Sequence, residues 1–147
     1  MGRWRISSGL LSVTAILTLV PTGCAGNTDR EPLKKLMESL AEAAKEDYQA
    51  EVKKSPREEW AVRRGVLTTA RDLKVIDDFM NNEPKLTSRG KGVVESLREN
   101  CKKRAGLMEG AVKMGRYELA DAELEADRQL TKERLHIVED IGRIIDD

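Results

Sequence analysis

The chain predicts an all-α fold, a small antiparallel bundle of four helices preceded by a signal peptide and a flexible tether. Three observations predict it. Apolar residues from Leu33 to Ile145 recur at three- and four-residue steps, the period of a helix with one buried face. Acidic and basic residues, 26 of each, are interspersed rather than blocked, which suits soluble helices laced by i,i+4 pairs. The links between periodic segments are short, which favours antiparallel neighbours. Residues 1–23 are assigned to the signal peptide, 24–31 to the tether and 32–147 to a single helical domain.

In the first helix Leu33, Leu36, Met37, Leu40, Ala41, Ala44, Tyr48 and Val52 form the stripe, opened by Pro32 at a first-turn position. The second opens at Ser55-Pro56-Arg57-Glu58, where Ser55 can cap, Pro56 fits the first turn and Glu58 completes a capping box. Its stripe is Val62, Val66, Thr69, Leu73, Ile76 and Met80, flanked by Trp60, Leu67, Ala70 and Phe79. The Ser55 junction admits two geometries, a tight reversal or a kink within one long helix.

Pro84 to Gly92 contains Pro, Thr, Ser and two Gly and is the clearest interhelical loop. Val94, Leu97, Cys101, Met108 and Val112 form the third stripe, and Gly115 is placed to end that helix or to bend it. The fourth helix is expected from about Arg116. Tyr117, Leu124, Leu135, Val138, Ile141 and Ile145 face inward in that reading, and the polar stretch Glu123 to Thr131 leaves its middle exposed or partnered elsewhere.

The N-terminus reads as an export signal. Arg3 and Arg5 form a short positive region, followed by an uncharged, largely apolar run from Ile6 to Val20. A bilayer span needs about 20 apolar residues, so this run is too short to remain as an anchor and removal is expected. Val20-Pro21-Thr22-Gly23-Cys24 resembles the lipobox of bacterial lipoproteins, in which the cysteine thiol receives a diacylglyceryl group and the cysteine becomes the new N-terminus. Gly23 matches the small residue before the cut, whereas Pro21 stands where that family usually has Leu or another aliphatic residue.

The resemblance implies cleavage between Gly23 and Cys24 and attachment of the domain to a membrane through lipid on Cys24. Several acyl chains exceed the two signals that stable anchoring requires. Ala25, rather than Asp, after the cysteine leans the resemblance toward the outer membrane, with the domain facing the periplasm or the exterior. The rival reading is ordinary cleavage after Ala25, which yields a secreted soluble chain. Residues 25–31 carry no apolar period and read as a tether reaching roughly 25 Å.

The residues that usually carry chemistry are sparse. His136 is the one histidine, so no two-histidine metal site can be built, and its place beside Ile137 reads as surface. After processing the thiols are Cys24 and Cys101, which excludes a disulfide scaffold; on the third stripe Cys101 reads as a small buried hydrophobe. No Cys-x-x-Cys-His occurs, so no covalent haem is expected. Carboxylate pairs such as Asp77 with Asp78 are sequence neighbours pointing to different sides of a helix. Gly90-Lys91-Gly92 is too short to cradle a phosphate. Loss of Arg3 and Arg5 leaves 24 basic residues against 26 acidic ones, and no nucleic-acid surface is announced. No catalytic residue, metal or cofactor is assigned.

Two further echoes are short. Gly115-Arg116-Tyr117-Glu118-Leu119-Ala120 looks like the helix junction of a tetratricopeptide repeat, but no second copy follows at that repeat's period. Leu67-Thr68-Thr69-Ala70-Arg71 and Leu130-Thr131-Lys132-Glu133-Arg134 look faintly like the Leu-Thr-x-x-Gln motifs of small helical periplasmic chaperones and metal-stress sensors, with Arg in place of Gln. The leading expectation is a non-enzymatic, membrane-tethered envelope module that binds a protein partner. The exposed middle of the fourth helix and Ile137, Ile141, Ile144 and Ile145 are its candidate contacts, unless the Ile residues complete the bundle core. The alternatives are a periplasmic chaperone or stress sensor, and a small-molecule carrier with Trp60 and Tyr48 as pocket walls or as core packing.

Overall fold

A computed structural model describes residues 26–51 and 60–147. Gly23, Cys24, the signal segment and the Ser55 capping box lie outside the described residues, as do the side chains of Tyr48 and Trp60. Four helices and no strand occur among the described residues: α1 (Arg30–Glu51), α2 (Trp60–Asn81), α3 (Ser88–Lys113) and α4 (Asp121–Asp146). The all-α bundle is thus observed. In it α1 and α3 each pack on both α2 and α4, the ring order of an up-and-down bundle.

Directions follow from cross-helix contacts. The Arg71 guanidinium reaches the Ala43 carbonyl at 3.5 Å, while Lys35, Leu36 and Ser39 share a surface hollow with Val75, Asp78, Phe79 and Asn82. Numbers fall along α1 as they rise along α2, so the chain reverses between these helices and does not run on through a kink. One end of the bundle, the closed end, therefore gathers the N-termini of α1 and α3 with the C-termini of α2 and α4. The opposite, open end carries the α3–α4 turn.

Two buried clusters occur among the described residues, one toward each end. Leu33, Leu36, Leu40, Ile76, Val94, Leu97, Cys101, Ile137, Ile141 and Ile144 form one buried cluster in the closed half. The open half holds Val62, Met108 and Ala111, with Val66 and Leu119 packed against them. Ile137, Ile141 and Ile144 are core residues and Ile145 packs against them half-buried, which fits the alternative that they complete the bundle core.

The fourth stripe differs in phase from its sequence expectation. Tyr117, Leu124 and Leu135 are 59%, 40% and 57% exposed. The inward line instead runs Glu123, Asp127, Leu130, Arg134, Ile137, Ile141, Ile144, at three- and four-residue steps. Charged side chains occupy three of those positions, which hid the line from a reading of apolar residues. Ala111, not Val112, continues the α3 stripe, and Ala41 and Ala44 of α1 are exposed.

Local chemistry sets the ends. Asp29, 2% exposed, precedes α1, and its carbonyl accepts from Leu33 N at 3.0 Å. Its carboxylate crosses to α3, accepting from Thr87 N at 2.6 Å and from the Thr87 hydroxyl. Thr87 in turn caps α3, its Oγ1 accepting from Gly90 N at 3.2 Å. Asn27 donates to the Ile144 carbonyl at the end of α4, and its Oδ1 accepts from Asp29 N at 3.1 Å. The expected tether of residues 25–31 is therefore fixed to the bundle from Asn27 onward. The expected loop from Pro84 to Gly92 stops at Thr87 for the same reason. Gly115 ends α3 at φ +67°, with Gly115 N bonded to Val112 O at 2.9 Å and Arg116 N to Ala111 O at 2.9 Å, a Schellman closure.

A Cβ on Gly90 would meet the Asp29 carboxylate at 2.6 Å, whereas one on Gly92 meets nothing within 4 Å. Gly92→Ala should therefore stabilise the fold by about 0.5–1 kcal/mol, as Ala does in a helix interior. Gly90→Ala should destabilise it by about 1–3 kcal/mol, as overpacking does. In an Asp29→Ala background the Gly90→Ala change should reverse sign, which urea denaturation of the four variants measures.

Candidate functional site

At mid-height the apolar stripes are interrupted by a polar layer to which all four helices contribute. Asp72 of α2 is 2% exposed. Its Oδ1 accepts from Arg71 Nε at 3.0 Å and Nη2 at 2.6 Å, and its Oδ2 from Arg134 Nη2 of α4 at 2.7 Å. Arg134 Nη1 also donates to Cys101 Sγ of α3 at 3.1 Å, and Arg71 reaches the Ala43 carbonyl of α1. One turn from Cys101 toward the open end, Arg104 is paired with Asp127 at 2.7 Å. Asn100 donates to Leu130 O at 2.9 Å and to Glu133 Oε2 at 3.3 Å, while its buried Oδ1 has no partner among the described residues.

The layer is organised for packing. Asp72 is engaged by two guanidinium groups. Burial pushes the Cys101 pKa up, against the opposing pull of Arg134, so the thiol stays protonated at neutral pH. His136 lies on the surface with Glu139 at 3.4 Å.

Below this layer, in the open half, the described residues of α2, α3, α4 and the α3–α4 turn line a half-open cavity of about 550 Å³. Val62, Gly65, Met108, Leu119 and Leu124 supply apolar wall, and Arg64, Thr68, Arg104, Glu118 and Asp127 supply polar groups. Gly65 lets Met108 approach, since a Cβ there would meet the Met108 sulfur at 2.7 Å. The mouth is fixed by Glu123, which accepts from Arg116 at 2.5 and 2.6 Å and from Ala120 N at 2.8 Å at the start of α4. The Arg116 hydrogen bonds, followed by that from Ala120 N, lower the Glu123 pKa to about 2.

Around this end Met114 is 71%, Tyr117 59% and Val112 49% exposed. Sequence reading placed candidate contacts on the exposed middle of the fourth helix and on Ile137–Ile145; Leu124 and Asp127 of that middle line the cleft, while Asp72 and the walls from α2 and α3 were missed. Asp72 was legible in principle as a charge on the Thr69–Ile76 stripe, three residues after Thr69 and four before Ile76. No helix among the described residues is long and apolar enough to cross a membrane. No protein-family model, curated protein or solved structure matches the chain.

Removing one partner of a buried ion pair strands the other charge, so Asp72→Ala should cost about 3–5 kcal/mol. Alkylation of Cys101 by iodoacetamide, slow in the native protein, should accelerate in that variant in step with the lost stability. The depressed Glu123 pKa gives a second test. Its stabilising effect is complete above pH 4.5, the ordinary value, and is lost as pH falls toward about 2. Arg116→Ala should bring the Glu123 carboxyl resonance back toward an ordinary titration midpoint in carbon-detected NMR.

Proposed function

We propose that the chain is a non-enzymatic envelope lipoprotein, anchored by lipid on Cys24, whose bundle binds a protein partner through its open end. The observation that carries the binding part is the grouping of Val112, Met114 and Tyr117, all at least 49% exposed, beside a cavity walled by Met108, Leu119 and Leu124. Aromatic and Met side chains are favoured at protein interfaces, and a concave apolar site accepts a projecting apolar side chain. The ion pairs Arg104–Asp127 and Arg116–Glu123 border this surface and supply polar rim. The anchoring part rests on the lipobox resemblance of Val20 to Cys24.

A second reading, a carrier of a small apolar molecule, is favoured by the same cavity, whose volume lies in the range of small-ligand sites. The two readings separate experimentally. A photocrosslinking residue in place of Tyr117, introduced into the lipoprotein in its own membranes, should capture one defined partner. The same residue in place of exposed Lys74 on α2 should not, and Met114→Ser should weaken capture with little change in melting temperature. Equal capture from both positions would contradict the partner surface. Leu124→Trp, which narrows the cavity mouth, should abolish small-molecule binding if the carrier reading holds.

A further inference from the structure

The first residues after the lipid site are too few to let the bundle move away from a bilayer. Asn27 is bonded to the Ile144 carbonyl at the tip of α4, and Asp29 to Thr87 at the tip of α3. Both attachments lie at the closed end. Three residue steps separate Cys24 from Asn27, a reach of at most about 11 Å. We infer that the closed end of the bundle rests on the phospholipid headgroups, with the α3–α4 turn and the cavity held at the far end. The inference depends on the lipid anchor of the proposed function and adds the direction in which the molecule stands.

The surface at that end fits a polar contact without insertion. Arg30, Glu31, Glu83, Lys85, Thr87, Arg89, Lys91, Asp146 and Asp147 are exposed there, and Leu86 is drawn inward against the core. Among the described residues the exposed large apolar ones, Leu67, Val112, Met114, Tyr117, Leu124 and Leu135, belong to other parts of the bundle. Charges of both signs at the closed end provide neither a polybasic patch nor an apolar wedge, so the acyl chains supply the binding and the protein supplies the orientation. With 26 residues in each of α3 and α4, the open end stands about 39 Å from the closed one along the helix axes.

The test uses the acylated full-length lipoprotein in phosphatidylcholine vesicles carrying a headgroup-attached energy acceptor. A donor dye is placed on Lys85→Cys at the closed end or on Lys113→Cys at the open end, with buried Cys101 retained. Transfer from position 85 should exceed that from position 113 several-fold. A long Gly/Ser spacer inserted between Gly26 and Asn27 should largely abolish the difference by freeing the bundle to tumble. Equal transfer from both positions without the spacer would overturn the orientation while leaving the anchor intact. Failure of the anchor shows separately, as an unacylated mass and a protein that does not float with vesicles, and that result would overturn the orientation together with the reading it rests on.

Discussion

The Asp72 carboxylate, buried between Arg71 and Arg134, is the interaction on which the arrangement of the helices depends. Its return over an apolar replacement is small, because desolvation offsets much of the attraction. What it fixes is register. Sliding α4 by one turn would leave Asp72 facing Leu130 or Val138 in place of Arg134 and strand a buried charge. Through Cys101 and the Ala43 carbonyl the same two guanidinium groups tie in α3 and α1. The layer thus sets the relative height of all four helices, a function that interchangeable Leu and Ile contacts perform poorly.

That layer also separates the two buried clusters. Above it the closed half is filled by Leu and Ile and sealed by the Asn27, Asp29 and Thr87 bonds that join α1, α3 and α4. Below it Met108, Ala111 and Val62 are the buried apolar residues among those described, and ion pairs from Arg104 and Arg116 lie beside the cleft. The cleft lies in the half farthest from the Asn27 and Asp29 bonds, an arrangement that fits the proposed anchor at one end and the proposed partner site at the other.

The helices were legible because burial repeats at three and four residues: Leu33, Leu36 and Leu40 were found in place, as were Val94, Leu97 and Cys101. The phase of α4 was not legible, since its inward line passes through Glu123, Asp127 and Arg134 and apolar periodicity cannot register a charge that is inside. The early start of α3 was hidden because Gly90 reads as a loop residue until the Asp29 carboxylate is seen to occupy the space of its absent Cβ. The candidate site escaped for a related reason. Its walls come from three helices and a turn, and nothing in the local spacing of Val62, Met108 and Leu124 brings them together. The reversal between α1 and α2 likewise required contacts such as Arg71 with Ala43.

The central claim is that the Asp72 layer joins two halves that open independently, one built on the Leu and Ile cluster and one beside the cleft. Native-state hydrogen exchange resolved by residue tests it most directly. The account predicts two classes of amide. Those of Leu36 to Leu40, Ile76, Val94 to Cys101 and Ile137 to Ile144 should exchange only by global unfolding, and those of Val62 to Val66, Met108 to Ala111 and Leu124 should exchange through a smaller, less costly opening. A single protection free energy throughout all four helices would contradict it.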